Sequence, residues 1–390
     1  MENQSIMALD ERYVAHTYGR APVVFARGEG CRLYDESGRA YIDMGAGIAV
    51  SALGYGDAGW VRAVSEQAAA LSHASNLYHT APQARLAQVL CQRSGLARAF
   101  FCNSGAEANE CAIKVARKHA ADRFGENRRP VIITLLNSFH GRTLATLAAT
   151  GQERFHHNFG PFPEGFGHVP ANDAAALEAA LDRPDVCALM LETVQGEGGV
   201  VALDADYIRL ARELTARRGQ LMMIDEVQTG NGRTGKRFSY EHFGIQPDVV
   251  STAKGLAGGL PMGACLMSDE AAQALTPGTH GSTFGGNPVC AAAALYVQQR
   301  LTDELLAEVA QKGAWIRAEL SALPGVTVSG LGLMLGVHCG KDAAALAAAL
   351  LRRGVVALTA KDRLRLTPPL TIPWDDLRTA VDIIKEEITA

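Results

Sequence analysis

Short apolar runs and helix-like stretches alternate through the middle of this chain. Ala99 to Cys102, Val131 to Leu136, Cys187 to Val194, Leu221 to Val227, Val249 to Thr252 and Met262 to Met267 are nearly continuous in apolar residues. That is the pattern of strands covered on both faces. Between several of them lie helical patterns, among them Ala106 to Ala121 and Tyr207 to Arg218. In the first, Ala108, Cys111, Ala112, Val115 and Ala116 recur at the spacing of one buried face. Strand–helix alternation predicts an α/β fold with a mostly parallel sheet and helices on both sides. The C-terminal part reads differently. A long helical stretch, Pro288 to Leu320, leads to a glycine-punctuated region, Gly330 to Gly336, and then to a helix, Lys341 to Arg353. This predicts a separate α+β lobe. Near the other end, Val23 to Ala26 and Cys31 to Tyr34 read as short strands, the second closed by the turn Asp35-Glu36-Ser37-Gly38. No Gly/Ser/Pro linker separates two halves, so two domains must share elements from distant parts of the chain.

Composition narrows the class without changing this picture. The 390 residues are 48% hydrophobic and 20% charged, with a formal net charge of −4. Such a balance gives no electrostatic reason to expect nucleic acid or an anionic membrane as a partner. Apolar runs stop short of the roughly 18 residues that a membrane span needs. Met1 to Asp10 has no basic region followed by an apolar core, so no secretory signal is expected. None of the eight cysteines forms a C-x-x-C pair. Free thiols in a reducing cytoplasm are therefore expected, not a zinc ribbon or a disulfide framework.

Five segments carry candidate chemistry. In Phe100 to Asn109 an apolar run meets a small polar turn and a helix follows, so Ser104 and Gly105 sit where free N–H groups and the helix dipole bind phosphate. An ordinary N-cap by Ser104 is the plain alternative. Asp225 closes the strand Leu221 to Val227, near the sheet edge where α/β ligands bind. Its carboxylate needs a partner there, either a protonated pyridine nitrogen or a structural cation. Lys254 is one of eight lysines and the one that follows an apolar strand and precedes a glycine-rich turn. An amine among apolar and small residues has a lowered pKa, which suits a Schiff-base lysine better than one snorkelling from a strand end. Gly281 to Pro288 offers small residues, hydroxyls and a helix start for a phosphate. In Asn137 to Arg142, Phe139 is placed to stack on a flat cofactor and Arg142 to hold a carboxylate. His140 reads equally well as a loop hydrogen-bonding residue. The pair His156-His157 has no sequence-near partner, so no metal site is expected. Gly230 to Lys236 imitates nucleotide motifs. Arg237 stands where a P-loop needs Ser or Thr, and no helix pattern follows.

Taken together, the segments Asn-Ser-Gly-Ala-Glu-Ala-Asn (103–109), Phe-His-Gly-Arg (139–142), Gln-Gly-Glu-Gly-Gly (195–199), Asp-Glu-Val-Gln-Thr-Gly (225–230), Lys-Gly-Leu with Gly-Gly-x-Pro (254–261) and Thr-Phe-Gly-Gly-Asn-Pro (283–288) resemble the class III aminotransferases of pyridoxal phosphate (PLP) fold type I. The acetylornithine branch is the nearest likeness, and the resemblance runs from Tyr18 to Pro369. It implies a large domain with a mostly parallel seven-stranded sheet over residues 50–286. It also implies a small α+β domain from both chain ends, 1–49 and 287–390. Lys254 would carry PLP and shuttle the proton, and Asp225 would keep the pyridine nitrogen protonated. Gln228 would contact the ring hydroxyl and Phe139 would stack on the ring. Ser104, Gly105 and Ala106 would hold the phosphate, with Thr283 contributed by the other subunit of a homodimer.

The same resemblance places substrates. Arg142 is similar to the arginine that grips a distal carboxylate, and Arg365 to the one for glutamate's α-carboxylate. Glu197 resembles the gate that neutralises Arg365 while the ω-amine substrate is bound. Tyr18, Tyr78 and Ser282 belong to the substrate end. The implied reaction moves the ω-amine of N-acetylornithine to 2-oxoglutarate, giving glutamate, as in arginine biosynthesis; N-succinyl-diaminopimelate is a further substrate of the same kind. Ornithine, succinylornithine and 4-aminobutyrate remain open as amines. The chain departs from the pattern at Ala106, where Thr is common, at Thr193 in place of Pro, and at Asn231 in place of a larger apolar residue.

Overall fold

The computed structural model describes residues 2–126, 128 and 130–390. Its centre is a seven-stranded sheet. In chain order the strands are β1 (Arg98–Cys102), β2 (Val131–Leu135), β3 (Phe166–Val169), β4 (Val186–Leu191), β5 (Leu221–Asp225), β6 (Val249–Thr252) and β7 (Gly263–Met267). They lie side by side as β1-β7-β6-β5-β4-β2-β3. Only β7 runs against its neighbours; the other pairings are parallel.

The apolar runs are continuous because both faces are covered. Every residue of β4, β5, β6 and β7 is buried. Side chains alternate between two cores, as the two-residue period of a strand requires. Leu189, Leu191, Met222, Ile224 and Val250 join one core with the helices Ala81–Ser94, Ala174–Leu181, Ala205–Arg218 and Pro288–Arg300. Ala188, Met190, Leu221, Met223 and Val249 face the other, where the helix Gly105–Phe124 lies with Cys111, Ala112, Val115 and Ala116 inward.

A further core gathers Cys31, Ile42, Met44 and Ala52 with residues from Leu301 to Ile388. It is built on two four-stranded sheets. In one, Val355–Val356 pairs in parallel with Ala40–Asp43, so the two chain ends share a sheet. The other holds Thr327–Leu331, Met334–His338, Leu358–Ala360 and Arg363–Leu366. No helix among the described residues is long and apolar enough to cross a membrane. None of the eight cysteines forms a disulfide, and five of them are buried.

Several elements differ from the sequence pattern for physical reasons. The stretch Pro288 to Leu320 is two helices, Pro288–Arg300 and Asp303–Ser321. Thr302 caps the second by accepting from Leu305 N–H, with Asp303 and Glu304 in its first turn. The glycines of Gly330 to Gly336 belong to a hairpin, not to an irregular link. β3 escaped notice because Phe166-Gly167-His168-Val169 is an edge strand, pairing with β2 alone, so it needs no unbroken apolar run. The run Cys187 to Val194 ends as a strand at Leu191, and Val194–Gln195 pairs elsewhere, with Val201–Ala202.

The helix Asp303–Ser321 approaches the turn at Gly332 so closely that a Cβ on Gly313 would lie 2.1 Å from the Gly332 carbonyl oxygen. Backbone on both sides leaves no flexible group to yield. Gly313→Ala is therefore expected to destabilise by about 1–3 kcal/mol, read as a lower urea midpoint with unchanged m-value.

Candidate active site

The parallel strands end on one edge of the large sheet, and a cavity of about 440 Å³ opens there. Its wall includes the residues just past the ends of β2, β4, β5 and β6: Phe139, Glu192, Val227 and Lys254. A crevice outside the carboxyl ends of strands is where open α/β sheets bind ligands.

Lys254 follows β6 with left-handed backbone, φ 47°. That conformation costs a non-glycine residue roughly 1–2 kcal/mol, and such strain persists where the surroundings over-determine it. Burial lowers the amine's pKa from 10.5 to about 8. The positive charge of Arg365 pushes the same way, while Glu197, Asp225 and Glu192 oppose it. A lysine with its pKa lowered this far keeps more of its amine neutral at ordinary pH than a free lysine does, which suits a nucleophile and a proton carrier.

Asp225, the last residue of β5, is 3% exposed. One carboxylate oxygen accepts from Asn109 Nδ2 at 2.7 Å and lies 2.9 Å from His140 Nδ1; the other accepts from Val227 N–H at 3.0 Å. Asn109 also donates to the His140 carbonyl at 2.7 Å, so helix, loop and strand are tied at one point. His140 Nε2 and Asn109 Oδ1 are buried without a partner. Orphaned polar atoms beside a buried carboxylate fit a site built to meet a polar, cationic ring. His140 is thus more than a loop residue: at 2% exposure it braces Asp225.

On the opposite wall, Ser104 caps the helix Gly105–Phe124, accepting from Glu107 N–H at 3.2 Å. The N–H groups of Gly105 and Ala106, in the first turn, have no carbonyl four residues back and are free for an anion. Gly105 is required sterically, since a Cβ there would lie 2.6 Å from Val227. Phe139 lines the cavity with its ring edge-on to Phe155 at 5.7 Å. Arg142 lies at the exposed side of the cavity, its guanidinium 4.2 Å from the Phe155 ring centre.

Arg365 is 4% exposed. It forms an ion pair with Glu197 and donates to Gln228 Oε1 at 3.3 Å. Gln228 itself lines the cavity. Ser282, outside the cavity wall, accepts from Asn103 Nδ2 at 3.3 Å and Gly285 N–H at 2.9 Å. Thr283, Tyr18 and Tyr78 are likewise not on the cavity wall within one chain. Thr283 is exposed, and Tyr18 and Tyr78 are 73% and 70% exposed.

Sequence reasoning missed Glu192. It closes β4 as Asp225 closes β5, and that shared position was the available signal. Its carboxylate accepts from Phe139 N–H at 2.9 Å and Gly196 N–H at 3.2 Å. Burial pushes its pKa up to about 7.

In cofactor-free protein, carbamylation of Lys254 by cyanate, followed by mass spectrometry, should rise with pH through a midpoint near 8. The same shift bears on stability. The folded chain releases this proton before the unfolded chain does, so stability should rise as pH climbs from about 8 towards 10.5. Lys254→Met should remove that part of the slope in a series of denaturant titrations.

The family description Aminotransferase class-III matches residues 13–388. The acetylornithine aminotransferase of Haemophilus ducreyi is 48% identical, with all of both chains covered. That of Methanocaldococcus jannaschii is 41% identical, covering 100% of this chain and 99% of its own. Among solved structures, the ornithine aminotransferase of Toxoplasma gondii superposes with a TM-score of 0.95 at 31% identity, covering 99% of this chain and 95% of its own. A second structure of that protein is described with PLP in partial occupancy at the active site. The N-acetylornithine aminotransferase of Stenotrophomonas maltophilia gives 0.84 at 35% identity, covering 98% of each chain. The family match along nearly its whole length shows that the chain belongs to the class III aminotransferases, enzymes that depend on PLP.

Proposed function

We propose that this enzyme moves the ω-amine of N-acetylornithine to 2-oxoglutarate. The observation that carries the substrate reading is the ion pair between buried Arg365 and half-buried Glu197, joined through Gln228 to the cavity that holds Lys254 and Asp225. Relatives named for acetylornithine, alike along the whole chain, support the same amine.

PLP, when bound, supplies a conjugated ring that takes up the electron pair left when a proton leaves the carbon bearing the amine. The chain's own residues do the rest. The Lys254 amine would hold the cofactor and, once the incoming amine frees it, would carry the proton from the substrate carbon to the cofactor carbon two bonds away. Asp225, braced by Asn109 and His140, would keep a proton on the ring nitrogen. Phe139 would cover one face of the ring, and Gln228 would meet its hydroxyl. The N–H groups of Gly105 and Ala106, with the Ser104 hydroxyl, would hold the phosphate. We place Thr283, exposed in one protomer, at the site of its partner in a homodimer, with Tyr18, Tyr78 and Ser282 at the substrate end.

Two substrates share the site in turn. N-acetylornithine has one carboxylate, which Arg142 takes, so Arg365 must be neutralised by Glu197. A buried guanidinium without an acid partner is costly, so Arg365 does not stand alone between substrates. The second carboxylate of 2-oxoglutarate then displaces Glu197. Free ornithine is the second reading, favoured by the TM-score of 0.95 to an ornithine aminotransferase. We assign the helix Pro288–Arg300 to the large domain, with which its apolar face packs, and the sheets from both chain ends to the small one. Eight cysteines that form no disulfide support a reducing compartment, the cytoplasm.

The purified protein should show a visible absorbance band that N-acetylornithine bleaches and 2-oxoglutarate restores. Indifference to N-acetylornithine with bleaching by ornithine would transfer the assignment to the free diamine. Lys254→Ala should lower kcat by about 10²–10⁴-fold or more. Glu197→Gln should weaken use of the acylated amine while tightening glutamate, measured as opposite changes in the two KM values.

A further inference from the structure

The glycine-rich segment Gly230–Gly235, which imitates a nucleotide loop in sequence, joins the two sides of the active site. Asn231 has left-handed backbone, φ 56°, which Asn tolerates better than most residues. Its Nδ2 donates to Thr252 Oγ1 at 2.9 Å and to the Ala253 carbonyl at 3.2 Å, and its Oδ1 accepts from Gln298 Nε2 at 3.1 Å. Ala253 immediately precedes Lys254. Two residues later the loop turns to the other lobe. Arg233 is 2% exposed and donates to the Leu333 carbonyl at 3.0 Å and the Pro368 carbonyl at 2.5 Å. Its own carbonyl accepts from Leu333 N–H at 3.0 Å. Pro368 lies just beyond the strand that carries Arg365. The glycines permit this seating: a Cβ on Gly332 would lie 2.5 Å from the Thr234 carbonyl carbon, and one on Gly235 3.0 Å from Ala310.

We propose that Gly230–Gly235 is a spacer that fixes the reach between the Lys254 amine and the carboxylate-binding Arg365, with Asn231 and Arg233 as its positioning residues. This rests on the reading of Arg365 given above. Asn231 anchors the spacer to the lysine's strand, and Arg233 anchors it to the arginine's. A ligand that spans from Arg365 to the other side of the site, where Lys254 and Arg142 line the cavity, feels any change in that distance. A substrate that reaches Lys254 from Arg142 alone does not. Misplacement by about 1 Å can cost on the order of 100-fold in such a geometry.

The test uses full-length protein carrying Arg233→Lys, Arg233→Met or Asn231→Leu, with Arg365→Ala as reference. Glutarate, a dicarboxylate with neither amine nor keto group, is titrated by calorimetry. The two half-reactions are timed separately on PLP-loaded enzyme. Glutarate affinity is expected to fall, and KM for 2-oxoglutarate to rise, by about tenfold, while KM for the amine donor moves less than about threefold. Where Arg233→Met does not fold, Asn231→Leu carries the same test with Arg233 left in place. Unchanged glutarate affinity in folded Arg233 and Asn231 variants, or donor and dicarboxylate parameters that shift together, overturns the spacer. If Arg365→Ala itself keeps full glutarate affinity, the reading of Arg365 fails first. If Arg365→Ala loses affinity that the Arg233 and Asn231 variants keep, the spacer alone fails.

Discussion

A carboxylate at the end of a fully buried strand survives only if donors surround it, because an isolated buried charge neutralises or destabilises the fold. Asp225 meets that constraint with Asn109, His140 and the Val227 N–H. Much of the site follows from it. Asn109 belongs to the helix whose first turn faces the cavity, so bracing Asp225 also fixes the anion-binding end. His140 belongs to the loop that carries Phe139 and Arg142. One buried charge thus sets the mutual positions of three elements that face the ligand.

Around this fixed point the charges are arranged in pairs that differ in permanence. Asp225 is enclosed and keeps its donors. Arg365 is enclosed, yet its partner Glu197 is 23% exposed at the side chain, so it is the acid and not the arginine that has room to move. Lys254 lies between these groups, and its lowered pKa reflects burial more than any one neighbour. An amine with a lowered pKa next to a held carboxylate and an exchangeable ion pair is suited to moving protons while accepting two differently charged substrates.

Most of the large sheet was legible because a strand buried on both faces must be apolar along its length. The helix after Ser104 was legible from its one-sided spacing. What escaped was marginal in burial or ambiguous in period. β3 is an edge strand with a glycine and a histidine. The break at Leu301 depends on a cap, and two helices in series have the same periodicity as one. Glu192 escaped because a single glutamate at a strand end looks like any loop acid until its neighbours are known. Gly230–Gly235 shows the converse. Its motif is conspicuous in sequence, but only the close approaches at Gly332 and Ala310 show where it is seated.

By itself the sequence determined the α/β architecture, the lysine and aspartate at strand ends, and the helix start suited to an anion. Those depend on residues near one another in the chain, where period and spacing act directly. Only the tertiary structure decided that Asn109 meets Asp225 across 116 positions and that Glu197 meets Arg365 across 168. It also decided that Arg233 reaches the Pro368 carbonyl across 135. Contacts at such separations are set by how strands order themselves in a sheet and how the two chain ends pack together, and no local pattern encodes which partner a buried charge will find.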